Sequence, residues 1–493
     1  MEQKQNTFKQ LVFDRRKKLE SLAASGTNPY PSKSSRSNQI FEAVKHFGKL
    51  QKKNITLTGR LTGKRGHGGL IFCDLSDESG KIQLAIKKNN LRKKQFDFFE
   101  KNFEVGDIVQ VIGKLFKTYA GEKTLEVRGI KLLTKTLYPL PEKWHGLKNE
   151  ELKNRKRYLD LLMNPQTKER FKKRSYFIKL LRDFLNEKGF LEVETPILQE
   201  VAGGAIAKPF KTRHIALGQD YYLRIAPELY LKRLIVGGFE KVFEFARNFR
   251  NEGISPQHNP DFTMLEFYWA YADYEKLMKL TEEMIRRVVP KLNGSYKVKF
   301  EGKVIDFKPP YKRVDFTKLF KKETGLDINK ISRKDLLAVI KKHNIKTSTK
   351  ISAYTEAKLI DEIYKKLVRP KIKGPIFLID YPKDMIPLAK TKDQDKNKIA
   401  TFQFIVNGWE IVKAYNELND PNEQRDRFLE QVRAKKLGDQ EAHSLDKDYL
   451  EALNYGMPPT AGWGMGIDRF LVILLDQKNI RDVILFPLRR AKK

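Results

Sequence analysis

The chain has 493 residues, enough for two or three domains and a sizeable buried core. Hydrophobic residues make up 40% and charged residues 32%, which excludes a membrane-embedded protein and describes a soluble globular one. Lys+Arg number 97 against 61 Asp+Glu, a formal net charge of +36 that suits either solvated lysine faces or a polyanionic partner such as nucleic acid.

From about Thr7 to Ala24 the spacing of Phe8, Leu11, Val12, Leu19 and Leu22 predicts an amphipathic helix, with basic residues on its other faces. It can lie on RNA or pack on the protein, and it breaks at GTNPYPSKSS. Between about Asn54 and Leu133 the pattern changes to five short alternating strands punctuated by glycine, which predicts a small closed barrel of the OB type. Such barrels stack single-stranded bases on aromatic rings in a basic groove. Phe72 and Gln83, with Arg60 nearby, are candidates for the binding face, although periodicity alone slightly favours Phe72 in the barrel core. Cys73, the single cysteine, excludes an internal disulfide framework and fits a reducing, cytoplasmic compartment. A proline-bounded linker follows at Leu137–Leu147, then a long helix from about Gln166 to Lys188 and a strand, FLEVETPIL, that Pro196 closes. Residues 317–369 read as two or three lysine-rich, solvated helices, an insertion poor in chemical motifs. The longest apolar run, Phe470 to Leu475, is far too short to span a membrane, and the N-terminus lacks the apolar core of a signal peptide.

Two segments carry the chemistry. FEFARNFRNEGISPQHNPDFTMLEFY, Phe243 to Tyr268, sets Arg250, Glu252, His258 and Phe262 into a strand, a loop and a second strand. GWGMGIDR, Gly462 to Arg469, ends a glycine-rich stretch in another arginine. Two guanidinium forks with an aromatic ring, a histidine and carboxylates make a cradle for a nucleoside triphosphate, which points to an enzyme that uses ATP.

In their order along the chain these patterns resemble the three motifs of the class II aminoacyl-tRNA synthetases, and within that class the lysyl enzymes. The resemblance rests on APELYLKRLIVGGFEKVFEFARNFRNEG, HNPDFTMLEFYWAYADY, AYNELNDP and GMPPTAGWGMGIDR, and it extends from NPYP near the N-terminus to ILFP near the C-terminus. It implies an α+β chain: a helical extension over 1–50, an OB-fold anticodon-binding domain over 51–136, and a linker over 137–150. A class II catalytic domain would fill 151–493, an antiparallel sheet flanked by helices with a helical insertion at about 315–370. The implied activity is lysine–tRNA ligation, with ATP as substrate, Mg²⁺ as cofactor, tRNA(Lys) and L-lysine as partners, and a homodimer formed near Phe171 to Pro196.

The same resemblance assigns Arg250 to the ATP α-phosphate and the amino acid carboxylate, Arg469 to the γ-phosphate, and Phe262 to the adenine. Glu252 and His258 fall at ATP-contacting positions. Glu228 and the backbone of Gly204 fall at the substrate's α-amino end, and Glu266, Tyr268 and Glu417 at its side chain. Carboxylates with a phenol suit an ε-ammonium, whereas an aspartate substrate would need a cation there. Phe72 and, eleven residues later, Gln83 fall at anticodon-reading positions, with Arg60 beside them. The expected metal ligands are Gln403, Glu410 and Glu417, and two positions depart from the family's pattern. Gln403 stands where a carboxylate is usual, although an amide oxygen can still ligate Mg²⁺ and ordinary magnesium dependence is expected. Lys413 stands where an asparagine usually touches the substrate. The alternatives are a ligase that lysylates a protein, an aspartyl- or asparaginyl-tRNA synthetase, and a catalytically silent nucleic-acid-binding module.

Overall fold

Alternation of apolar and polar residues closes five strands into a barrel: β1 (Ile55–Arg65), β2 (Leu70–Ser76), β3 (Lys81–Lys87), β4 (Ile108–Lys117) and β5 (Lys123–Thr134), joined in the order β1-β2-β3-β5-β4. The structure is a computed structural model that describes residues 2–66, 68–141, 149–347, 351, 354–437, 441–442 and 444–489. The barrel belongs to the first of two units, Met1–Lys148 and Asn149–Lys493. Ile55, Leu57, Leu61, Ile71, Cys73, Leu75, Ile82, Leu84 and Ile86 point inward and are buried. Phe72 has the opposite parity and is half-buried outside that core, contrary to the reading periodicity favoured. Ile71, Phe72 and Cys73 are all apolar, so only the pairing of Phe72 with Arg65 and Ala85 fixes which residue faces out.

The helix Glu2–Ala24 packs within this unit through fully buried Leu22 and through Arg15, which donates to the carbonyls of Thr136 at 3.1 Å and Val105 at 3.0 Å. Phe8, Leu11 and Phe13 stay exposed, so the packed face is narrower than the predicted stripe. A further helix, Lys93–Asn102, was not anticipated; its Phe96 and Phe99, with Phe103 just beyond it, are buried in the barrel's core cluster. The linker lies largely outside the described residues.

In the second unit the strands are β6 (Leu191–Glu192), β7 (Leu198–Gln199), β8 (Lys211–His214), β9 (Gln219–Leu223), β10 (Lys241–Phe249), β11 (Asp261–Ala270), β12 (Lys297–Phe300), β13 (Lys303–Asp306), β14 (Lys312–Asp315), β15 (Ile376–Ile379), β16 (Thr401–Val406), β17 (Trp409–Asn416) and β18 (Thr460–Gly466). Eight form one sheet in the order β14-β15-β16-β17-β18-β11-β10-β6, antiparallel except at its two outermost pairs. One face buries against the helices Pro165–Glu187, Tyr274–Asn293 and Ile467–Leu474, where Phe267 stacks on Trp463 with ring centroids 4.7 Å apart. The expected strand FLEVETPIL is reduced to β6 and β7, with Pro196 between them.

The insertion is not a set of merely solvated helices. Phe316, Phe320, Leu336, Ile340, Leu359, Ile360 and Ile363 bury in a second core cluster with Tyr364 and Tyr381. Among the described residues no helix is long and apolar enough to cross a membrane.

Candidate active site

The other face of the sheet opens into a cavity of about 790 Å³. Period-two alternation decides what lines it: Phe262, Met264, Glu266 and Tyr268 of β11 face the cavity, while Leu265 and Phe267 face the helices. On the neighbouring strand the facing positions are Gly462, Gly464 and Gly466. A Cβ at Gly462 would lie 2.0 Å from Glu417 Oε1 and 2.5 Å from the Tyr268 ring, so that position admits only glycine. Gly204, at φ +83°, lies so close to Glu228 that a Cβ there would sit 2.9 Å from the Glu228 Cβ.

The cavity brings together Gly204, Glu228, Arg250, Glu252, His258, Phe262, Glu266, Tyr268, Gln403, Glu410, Lys413 and Arg469. Arg250 leaves the end of β10 with its guanidinium 5.1 Å from the centre of the Phe262 ring. Among the described residues its fork makes only long contacts, both 3.4 Å, to the Ile225 carbonyl. Arg469 likewise makes one 3.4 Å contact, to the Gln257 carbonyl. Asp468 holds the backbone beside it, accepting from the Thr263 amide at 2.8 Å and pairing with Arg174. Both arginine forks therefore present undersatisfied donors to the cavity. Burial first, then Arg469 and Arg369, pushes His258 down to about 4, so its imidazole is neutral, and its Nδ1 lies 2.7 Å from Ser255 Oγ.

Glu228, Glu266, Tyr268 and Tyr415 form the acidic end, with Glu417 just behind the wall. Lys232 and Tyr415, to which no sequence motif assigns a role, complete this end. Lys232 is fully buried, 2.6 Å from Glu228 and paired with Glu417; the Tyr415 hydroxyl lies 2.8 and 2.9 Å from the two oxygens of Glu228. Spacing held a signal, since Lys232 follows Glu228 by one helical turn, but such a pair is normally a weak surface contact. A cation is thus present where an aspartate substrate would call for one, yet two carboxylates already take it.

Burial, then Glu228, against the opposing pull of Arg250, pushes Glu266 up to about 8. Its folded-state value lies above the ordinary one, so it keeps its proton through neutral pH, and binding a cation beside it favours losing that proton. The KM for a cationic substrate should therefore rise as pH falls from about 8 to 6, by up to about tenfold per unit. Glu266→Gln should flatten that profile; a wild-type profile already flat over this range contradicts the assignment.

The three expected metal ligands do not converge. Glu417 lies seven residues beyond Glu410 along β17, roughly 23 Å in an extended strand, whereas magnesium holds its oxygen ligands at about 2.1 Å. Glu417 is corrected to the acidic end, with Lys232. The Gln403 amide oxygen already accepts the Tyr381 hydroxyl at 2.6 Å and is 3.5 Å from that of Tyr364. Glu410 remains. Burial works to raise it, and Lys413, Arg469, Arg369 and Lys365 together outweigh that and hold it below the usual carboxylate range. One carboxylate ringed by cations does not fit a divalent ion held by the protein.

In the barrel unit Arg60, Phe72 and Gln83 lie on the outer face of β1, β2 and β3. Arg60 donates to the Gly106 carbonyl at 2.7 Å, and Gln83 Oε1 accepts from Thr124 Oγ1 at 2.9 Å.

The sequence matches the family described as tRNA synthetases class II (D, K and N) over residues 149–490, and the OB-fold nucleic acid binding domain over residues 55–133. The chain belongs to the class II tRNA synthetases of this D, K and N group. Its relatives narrow the group. It is 45% identical over 492 residues to the lysine–tRNA ligase of Clostridium novyi, covering 99% of this chain and 96% of that protein. It is 45% identical over 483 residues to the lysine–tRNA ligase of Carboxydothermus hydrogenoformans, 98% of each, and 46% identical over 481 residues to that of Clostridium perfringens, 97% and 96%.

Proposed function

We infer that the chain is an aminoacyl-tRNA-forming ligase that activates L-lysine with ATP and transfers the lysyl group to tRNA(Lys). The observation that carries this reading is the cavity in which two arginine forks, Arg250 and Arg469, without an ion pair among the described residues, share a lining with two buried glutamates, Glu228 and Glu266, while Glu417 lies just behind its wall. A lysine carboxylate oxygen attacks the α-phosphorus, its bond to the bridging oxygen breaks, and pyrophosphate leaves. The 3′-terminal ribose hydroxyl of the tRNA then attacks the lysyl carbonyl and AMP leaves.

Arg250 lies where it can hold the α-phosphate and the substrate carboxylate together, so its fixed fork stabilises the charge that develops at phosphorus. Arg469 takes the γ-phosphate, Phe262 the adenine, and Glu252 and His258 the remaining polar edges of ATP. Glu228 and the Gly204 backbone receive the α-ammonium; Glu266, Tyr268 and Glu417 favour the ε-ammonium. Any magnesium arrives on the triphosphate as part of the substrate.

The domain limits of the sequence reading, 1–50, 51–136, 137–150 and 151–493, belong to this proposal, with Arg60, Phe72 and Gln83 contacting the anticodon. So do a cytoplasmic location and a homodimer. Tyr176 and Leu191, large apolar side chains left exposed within Phe171 to Pro196, support the dimer.

Lysine-dependent exchange of pyrophosphate into ATP tests the activation step; no exchange with lysine overturns it and leaves the silent module. Base stacking contributes about 1–3 kcal/mol per base. Phe72→Ala should therefore cut tRNA charging by on the order of ten- to a hundredfold and leave exchange unchanged. Equal loss in both assays contradicts the anticodon role.

A further inference from the structure

The ATP side of the cavity carries more fixed positive charge than the assigned residues account for. Arg369 leaves a π-helical turn, Tyr364–Val368, and lines the cavity together with Lys413 of β17, Glu410 and Arg469. Among the described residues neither Arg369 nor Lys413 has a carboxylate within ion-pair distance, and the buried Arg369 Nε has no hydrogen-bond partner. A buried guanidinium N–H without a partner is costly unless a ligand meets it. Across the β16–β17 ladder Lys413 stands opposite Gln403, whose amide oxygen is taken by Tyr381. Beside Glu410 there is thus a neutral side chain whose oxygen is already taken and a cation, Lys413, that acts directly on the Glu410 carboxylate.

We propose that Arg369 and Lys413 supply, as fixed side-chain cations, the charge neutralisation that a protein-held divalent ion would otherwise provide, so that this site binds metal-free nucleoside triphosphate. This rests on the reading of the cavity as the ATP site. A metal-free triphosphate is a dense polyanion, and inside a partly desolvated cavity two ammonium or guanidinium groups interact with it far more strongly than they would in water. Arg250 and Arg369 both act against the charge on Arg469, an effect that Glu410 and Glu252 oppose, and an entering polyanion would relieve what repulsion is left.

The test is calorimetric titration of the full chain with ATP, once in EDTA and once in excess magnesium. The proposal expects a Kd in EDTA within about threefold of that in magnesium. It also expects Arg369→Gln and Lys413→Asn each to weaken binding in EDTA by about tenfold or more, with a smaller loss in magnesium. Lys413→Arg, which keeps the charge, should retain binding in EDTA, and thermal unfolding of each variant separates lost charge from lost fold. Gln403→Glu, by returning a carboxylate, should weaken binding in EDTA. Binding in magnesium but not in EDTA overturns the proposal and leaves the ATP reading standing. Binding in neither overturns both, and Arg369→Gln and Lys413→Asn variants that bind as wild type in EDTA overturn it as well.

Discussion

Arg250→Ala should lower lysine-dependent ATP–pyrophosphate exchange by about 10²- to 10³-fold while the protein stays folded. The loss should fall mainly on kcat, because the fork stabilises charge that grows as the carboxylate reaches phosphorus. Among the described residues its contacts are two 3.4 Å approaches to one carbonyl, so little native structure depends on them. Arg250→Lys should not restore the rate, since a point ammonium cannot bridge phosphate and carboxylate as a planar fork does. A kcat within about threefold of wild type contradicts the role given to Arg250.

Lys232→Met should act on stability. Removing the Lys232 ammonium leaves buried Glu228 and Glu417 without the cation they share, a loss of about 3–5 kcal/mol. Burial already drives Glu417 well above the ordinary carboxylate range, and Lys232 is the main opposing influence. The double change Lys232→Met with Glu417→Gln should recover much of the loss, because one of the stranded charges is gone. Denaturant titration measures both. A single-variant loss under about 1 kcal/mol means that the pair is not the buried unit described here.

The parts of the molecule that were legible in the sequence are those where a local period or a motif decides the outcome. The barrel strands follow from short alternating runs punctuated by glycine, and Arg250 lies in a motif read as strand, loop and strand, which the fold has as β10 and β11; that Arg469 follows a strand and lies in a helix was not read from its glycine-rich motif. Phe72 was ambiguous because both faces of its strand carry apolar residues, so pairing register rather than periodicity chooses its side. Arg369 was not legible. It sits in a lysine-rich stretch that looks solvated, and only the burial of Phe316, Leu336 and Ile363 turns that segment's far end into the cavity wall. Glu417 was misplaced as a metal ligand because motif spacing does not say how far an extended strand carries a side chain.

Choice of lysine and delivery to tRNA are together the central claim, and one assay reads both. Purified chain is incubated with total tRNA, ATP and magnesium, and with labelled lysine, aspartate or asparagine in parallel. Acid-precipitable label should accumulate on tRNA with lysine alone. Charging with aspartate or asparagine, or lysine-dependent pyrophosphate exchange with no label reaching tRNA, would contradict it.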